Sequence, residues 1–424
     1  MRKDCQSGIL TQPVTSVSFY ANCNKRSTSL PVAEEPGNSS RMHRMISHIW
    51  RPSRPLLIVA LLTTLAALWT GCSPSHFQST FDAAGPVAQM QLDLFLIIFW
   101  TAAIVFVAVE GILIYTVVRF RRKPGQEMPK QWHGHTRLEV AWTIAPALVL
   151  VVIAVPTITT IFKTANTPNQ AEVLEVTVRA HQWWWEFQYP QFGVVTANEL
   201  HIPPDPWVIE ATLESDDVIH SFWVPKLVGK LDVVPNNTNK LWFAASRIDA
   251  DPATPELDPY FGLCAEFCGT AHALMRFRVI VEPTKAAFDA WVEQQKAPPV
   301  APASQLAKDG QRLFGEKGCT VCHTATGPDR EGLQSARMTS FLRTEPGKPA
   351  PYPAPNLTHF ASRTTLASAT LDNTDDSLRR WLEDPNKVKP GNHMAKLAGA
   401  YTNPNLRLTP EDISALMAYL RSLQ

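Results

Sequence analysis

The sequence predicts a multidomain membrane protein in which a two-helix transmembrane hairpin is followed by a β-sandwich and then by a small all-α domain. Three observations carry this. Two apolar runs, Leu92 to Val118 and Val140 to Phe162, are each long enough to span a bilayer as a helix. After Thr167, apolar residues alternate with polar ones, the period of half-buried strands. Beyond the Pro-rich run Ala297–Ala303 the alternation stops, and helical patterns lie on either side of Cys319-Thr320-Val321-Cys322-His323.

The chain has 424 residues and a formal net charge of +1. That length leaves room for two or three domains, and the near-neutral balance gives no reason to expect nucleic acid. Residues 1–41 are rich in Ser, Asn, Thr and Pro and read as a disordered extension. Arg44, Arg51 and Arg54 then precede an apolar core from Leu56 to Trp69, followed by Cys72. This is the pattern of a secretory signal, so residues 1–71 are assigned to extension and signal. The segment resembles a bacterial lipoprotein signal in which Cys72 is lipidated. An uncleaved anchor ending at an ordinary cysteine is the other reading.

Residues 72–168 form the hairpin. Arg119, Arg121, Arg122, Lys123, Lys130 and Arg137 crowd the loop between the apolar runs. The positive-inside rule puts that loop in the cytoplasm and everything after Phe162 outside. Glu110, a carboxylate within the first run, is a functional candidate with no partner that the sequence names.

Residues 169–296 form the sandwich. Leu174, Val176 and Val178 alternate with Glu175, Thr177 and Arg179. Met275, Phe277, Val279 and Val281 alternate with Arg276, Arg278, Ile280 and Glu282. The segment from Cys264 to Met275 packs two thiols, the imidazole of His272 and a thioether together, and His220 stands upstream between strand-like runs. Soft sulfur with imidazole suits copper. Two cysteines four apart can bridge two metal ions, each capped by one histidine, with Met275 and the carbonyl of Glu266 as weak outer ligands. The spacing by itself also admits a structural Cys₂His₂ zinc site.

Residues 297–304 read as a stiff, extended linker, and residues 305–424 as the helical domain. Gln305 to Lys317 reads as a helix leading into the Cys-x-x-Cys-His run, and Thr409-Pro410-Glu411 opens a closing amphipathic helix. Cys319 and Cys322 with His323 form the attachment sequence of a c-type haem, with His323 on the iron. For the opposite ligand, Met394 follows a Pro-Gly turn and is preferred, because a thioether suits an electron-transfer haem. His393 is its rival, Met417 reads as core and Met338 as surface.

Taken together, the hairpin, the run Val218-Ile219-His220-Ser221-Phe222-Trp223-Val224-Pro225 and the Cys264–Met275 loop resemble subunit II of cytochrome c oxidase. The haem segment resembles the fused, caa-type version of that subunit. The resemblance covers about Gln89 to the C-terminus. It implies a cupredoxin-like sandwich carrying the dinuclear copper centre CuA on His220, Cys264, Glu266 (through its carbonyl), Cys268, His272 and Met275, and then a cytochrome c domain. It also implies that Trp183, in His181-Gln182-Trp183-Trp184-Trp185, is where electrons reach the copper, although the triplet could equally be packing. Glu139 matches an acidic residue at the cytoplasmic mouth of a proton path, where a helix-start carboxylate is the plain alternative. Glu266 matches a ligand to a magnesium ion shared with subunit I. Two positions depart from the family pattern: Asn236 stands where Gly is usual, and Ala395 where many cytochromes have Pro. Asn tolerates positive φ.

The function expected is that of the subunit through which electrons enter a haem-copper terminal oxidase. An electron passes from covalent haem c to CuA and on to a catalytic subunit that reduces oxygen and pumps protons. The expected partners are subunit I, the other oxidase subunits, and soluble cytochrome c or another donor. The expected place is the bacterial cell membrane, with both redox domains outside. The corresponding subunit of a copper-containing nitric oxide reductase is the nearest alternative. A non-catalytic, membrane-anchored copper-binding or assembly protein is the alternative from another class, and a fixed haem relay argues against it. A quinol oxidase subunit would lack the copper ligands.

Overall fold

The computed structural model describes residues 59–64, 76–169, 172–246, 259–325 and 354–424. The chain comprises two compact units, Met1–Cys72 and Ser73–Gln424. Within the first, residues 59–64 are helical. Cys5, Cys23, Cys72 and Met338 lie outside the described residues, and with them the lipidation reading.

Helices α1 (Pro86–Arg119) and α2 (Thr136–Ala165) form the hairpin. Both are apolar enough to cross a membrane. At 1.5 Å per residue, the 34 residues of α1 exceed the roughly 30 Å of a bilayer core. The excess is used on the sandwich. Val87 and Ala88 in its first turn are buried, and the amides of Ala84 and Ala88 donate to the carbonyls of Lys226 and Leu227. Gly85 is required there, since a Cβ would stand 2.4 Å from the carbonyl oxygen of Ala244. The indole of Trp242 donates to Lys163 O near the end of α2 at 3.2 Å. The hairpin is thus pinned at its outer end to the β-domain.

Ten strands build two five-stranded sheets. One runs β3 (Val194–Ala197), β2 (Trp184–Tyr189), β1 (Glu172–His181), β5 (Trp207–Ser215), β8 (Asn239–Phe243). The other runs β4 (Glu199–Ile202), β10 (Arg276–Val281), β9 (Tyr260–Cys264), β6 (His220–Val224), β7 (Val228–Val233). The predicted alternation holds in β1, where Leu174, Val176 and Val178 face the core. Trp185, Phe187, Phe222, Phe243 and Phe277 fill the space between the sheets. Asn236 adopts φ 59°, the left-handed turn its side chain tolerates. A helix that the period-two reading did not anticipate, α3 (Lys285–Lys296), is capped by Thr284 and buries Phe288 and Val292. The signal was present: a threonine N-cap followed by apolar residues four apart.

The C-terminal domain packs α4 (Gln305–Glu316) across the final helix, α9 (Pro410–Ser422). Gly310 permits the crossing, since a Cβ would meet Ala415 O at 2.0 Å. Ser304 caps α4, and Thr409 with Asp412 forms a reciprocal capping box on α9. Between them lie α5 (Asp375–Glu383), α6 (Pro385–Val388), α7 (His393–Leu397) and α8 (Gly399–Thr402). A two-stranded ribbon, β11 (Thr365–Leu366) with β12 (Leu371–Asp372), adds to the expected helices.

That ribbon rests on the sandwich. Glu199, 2% exposed, accepts from the amides and hydroxyls of Thr364 and Thr365, the shortest contacts being 2.7 Å. A buried carboxylate is tolerable when its oxygens are this well supplied with donors. Arg278, which strand alternation predicts to point at solvent, is instead buried. Its guanidinium lies 3.8 Å from the centre of the Phe261 ring and donates to Ala369 O. The second domain covers this strand's polar face, an event that periodicity within the strand does not encode. The turn of the ribbon places Ala367, Ser368 and Ala369 all at positive φ, a conformation non-glycine residues adopt only where surroundings enforce it.

Candidate metal and haem centres

Three strand ends converge on one buried pocket. His220 opens β6, Cys264 closes β9, and the following loop returns through a 3₁₀ turn at His272–Leu274 to Met275 before β10. Cys264 Sγ lies 3.8 Å from Cys268 Sγ and 3.8 Å from Nδ1 of His220. Cys268 Sγ lies 3.6 Å from Nδ1 of His272 and 3.8 Å from Met275 Sδ. The carbonyl of Glu266 stands 3.2 Å from Cys264 Sγ. All six residues named from the sequence therefore meet. A cation bonded to sulfur at about 2.3 Å and to nitrogen at about 2.0 Å, at a tetrahedral angle, holds those donors roughly 3.6 Å apart. The donor set fits a metal, and its softness fits copper.

The two thiols share their protons unequally. The hydrogen bond from Cys268 holds Cys264 down to about 4. The same contact, with burial, pushes Cys268 well above the ordinary thiol range. A cation is needed to make both thiolates at neutral pH.

Asp217 is the functional residue that sequence reasoning missed. Its Oδ1 lies 2.7 Å from Nε2 of His220, which leaves Nδ1 facing Cys264. Its oxygens also accept from the amides of Gln182 and Val218, each at 2.6 Å. Burial opposes protonation of His220, but the bond to Asp217 prevails and raises its pKa. Partners of this kind fix a ligand's tautomer and ring direction. Asp217 is three residues from a histidine that the sequence identifies, the only signal available.

The tryptophan triplet divides into distinct environments. Trp185 lies in the core against Phe222 and Phe277. Trp184 stacks on His181 with centroids 4.3 Å apart. Trp183 reaches the copper loop, donating from Nε1 to Cys268 O at 2.9 Å. Its ring lies flat on His393 of the C-terminal domain, 4.9 Å between centroids and 4° between planes.

In the haem segment, Cys319–Val321 forms a 3₁₀ turn, and His323 donates its amide to Cys319 O at 2.9 Å. Nδ1 of His323 lies 2.8 Å from Pro355 O, so that nitrogen carries the proton and Nε2 is the one offered to iron. Burial holds His323 below its ordinary pKa and thus neutral. Two thiols beside an imidazole oriented in this way fit covalent haem c. Met394 sits in the first turn of α7, capped by Asn392. His393, its rival, lies against Trp183. Met417 is buried in the helical core, as the sequence suggests.

Glu139 lies in the first turn of α2, where Oε1 accepts from the amide of His135 at 3.1 Å. It caps its own helix. Glu110 lies along a shallow cleft between the hairpin helices, with Thr101, Val149 and Ile153.

Comparison with known proteins decides the family. Residues 74–160 match the cytochrome c oxidase subunit II transmembrane domain, residues 198–283 its periplasmic domain, and residues 307–424 cytochrome c. Cytochrome c oxidase subunit 2 of Alkalihalophilus pseudofirmus is 36% identical over 89% of this chain and 98% of its own. The chain belongs to the cytochrome c oxidase subunit II family. The subunit 2 of Bacillus sp. strain PS3 is 38% identical, over 87% of this chain and 97% of its own. Among solved structures, the periplasmic domain of subunit II of cytochrome oxidase of Bradyrhizobium japonicum is 26% identical, covering 30% of this chain and 94% of that one, with a TM-score of 0.26.

As a cytochrome c oxidase subunit II, the chain is a membrane protein with a periplasmic domain, part of an oxidoreductase complex that includes subunit I. Its two family domains imply copper at the CuA position and haem c at the Cys319–His323 run.

Proposed function

We propose that electrons enter this protein at the haem, pass to a dinuclear CuA centre and leave for a catalytic subunit that reduces oxygen and pumps protons. Cys319 and Cys322 would hold the haem covalently, and His323 and Met394 would ligate its iron. His220, Cys264, the Glu266 carbonyl, Cys268, His272 and Met275 hold the copper. The observation that carries the reading is the pairing of Cys264 and Cys268 at 3.8 Å, each beside its own imidazole Nδ1. A single-copper site needs only one thiolate. The copper supplies one-electron chemistry, and the chain's contribution is a rigid, water-poor shell around it.

The basic loop between α1 and α2 lies in the cytoplasm in this reading, with both redox domains on the opposite side. Glu139 then stands at the cytoplasmic face, at the mouth of a proton path in subunit I. The exposed side chain of Glu266 supplies a magnesium ligand at the same subunit's outer boundary. Oxygen, rather than nitric oxide, is supported as the substrate of that partner by the names its relatives carry.

Paramagnetic resonance on the copper-loaded protein tests the metal. An unpaired electron shared by two copper nuclei is expected, and a single-copper pattern or zinc alone overturns the reading. Stopped-flow absorbance tests the order. Haem reduction should come first, followed by transfer to copper at a rate independent of protein concentration. Cys268→Ser should leave haem reduction intact and stop onward transfer. Copper reduced ahead of the haem would make the haem a side branch.

A further inference from the structure

We propose that His393 carries the electron out of the haem domain: its imidazole, stacked on the indole of Trp183, joins the haem's methionine to the copper centre's Cys268 in one continuous path. The inference rests on the order of flow proposed above and adds a residue that no motif contains.

The path can be followed atom by atom. Met394 is bonded through one peptide unit to His393. The His393 ring lies parallel to Trp183, 4.9 Å between centroids, which is within the range of an offset aromatic stack. Trp183 Nε1–H donates to Cys268 O at 2.9 Å, and Cys268 carries one of the two thiols. Electronic coupling decays far more steeply across a gap than through bonds or a hydrogen bond. This route contains one gap, and it is filled by two π-systems face to face.

The stack is held from several directions. Gln182 Nε2 donates to the same Cys268 carbonyl at 2.6 Å. From the haem domain, the ammonium of Lys389 and the hydroxyl of Ser368 both donate to Trp183 O. The Lys396 ammonium lies 5.9 Å from the centre of the Trp183 ring. Gly391 has φ +82° and a Cβ there would stand 2.7 Å from Thr270 Cγ2, so glycine lets the 389–393 loop close onto the copper loop. Lys389, Gly391 and His393 thus bring a single short segment against Trp183 and the copper loop.

The step is a single outer-sphere electron transfer. The electron is given up at the haem iron, which is oxidised, and taken up at copper, which is reduced. No bond is made or broken and no proton moves. His393 and Trp183 provide the coupling and keep no charge.

The test uses the full-length protein in its oxidase complex, with the haem photoreduced by a flash and copper reduction followed in the near infrared. His393→Leu keeps bulk without π-electrons, and His393→Phe keeps the stack. The Leu variant should slow haem-to-copper transfer by about 10-fold or more, as small losses of alignment do in other reactions. The Phe variant should recover most of the rate. The haem potential and the copper paramagnetic spectrum should not change in either. Hydrogen exchange at 364–372 and 389–397 gives a readout independent of turnover, and native protection is expected in both variants. Unchanged transfer in the Leu variant overturns the proposal. So does equal slowing in Leu and Phe with exchange raised in both, which would make His393 a docking contact only. Absence of haem-to-copper transfer in the unmodified protein would instead overturn the order of flow itself, and this inference with it.

Discussion

Asp217 Oδ1 lies 2.7 Å from Nε2 of His220, and this contact turns the other ring nitrogen toward Cys264. The carboxylate is itself fixed by the amides of Gln182 and Val218. The imidazole of His220, a proposed copper ligand, is therefore aimed before any metal arrives.

Asp217→Ala should weaken copper binding by about 10–100-fold, the usual consequence of losing a partner behind a ligating histidine. Competition with a chelator of known affinity measures this. Cys264 and Cys268 are untouched, so a copper signal with altered hyperfine structure should persist at saturating metal. Wild-type affinity in the variant would show that the protein fold alone orients His220.

Glu199→Ala should loosen the haem domain without touching either metal. Its carboxylate accepts from Thr364 and Thr365 across the interface, and hydrogen bonds to charged groups are worth roughly 1.5–3 kcal/mol each at most, so a loss of a few kcal/mol is expected. Calorimetry should show the haem domain melting at a lower temperature than the sandwich. A single transition at the wild-type temperature would contradict the clamp.

Docking should strengthen with pH. Burial, opposed by Cys268 and helped by Arg276, holds the Lys389 ammonium down to about 7 from its ordinary 10.5. The undocked lysine therefore binds the extra proton between those values, and the docked state gains stability as pH rises through that window. Below about 7 both states are protonated, and the burial penalty is felt in full. Interdomain cross-linking should rise from about pH 6 to about pH 9 and be flat in Lys389→Met. A flat profile in the unmodified protein would place the titration elsewhere.

Met394→Leu should lower the haem's reduction potential while Cys319 and Cys322 keep the haem attached. Loss of the near-infrared sulfur-to-iron band is the check. Survival of the band would remove Met394 from the iron and require another thioether.

Much of this was legible in the sequence, for a physical reason. The hairpin announces itself because a bilayer demands long apolar runs, as in Leu92–Val118. Most of the proposed copper donors lie on one loop, so Cys264 to Met275 could be read as a unit, and the haem motif is local for the same reason. What escaped is spatial. Asp217 acts through a contact with a ring that sequence cannot orient. Arg278 fits the polar half of an alternating strand and is buried only because another domain lands there. Trp183 is named by resemblance, but its contact with Cys268 O depends on how the strand turn points its indole. His393 reads in sequence as a rival ligand, and nothing in its spacing reveals the stack on Trp183.

The Ala297–Ala303 linker has a further consequence. A short tether presents one domain to the other at an effective concentration of order millimolar, however little protein the membrane holds. An interface worth only about 4 kcal/mol is already half occupied under that condition. Glu199, Arg278 and Lys389 therefore need to add little to keep the haem seated. Removing one of them lowers the fraction of time docked, and the partner stays within reach. In the proposed order of flow, dilution and competing free cytochromes, which limit a meeting of separate proteins, act only on the earlier step that reduces the haem from outside.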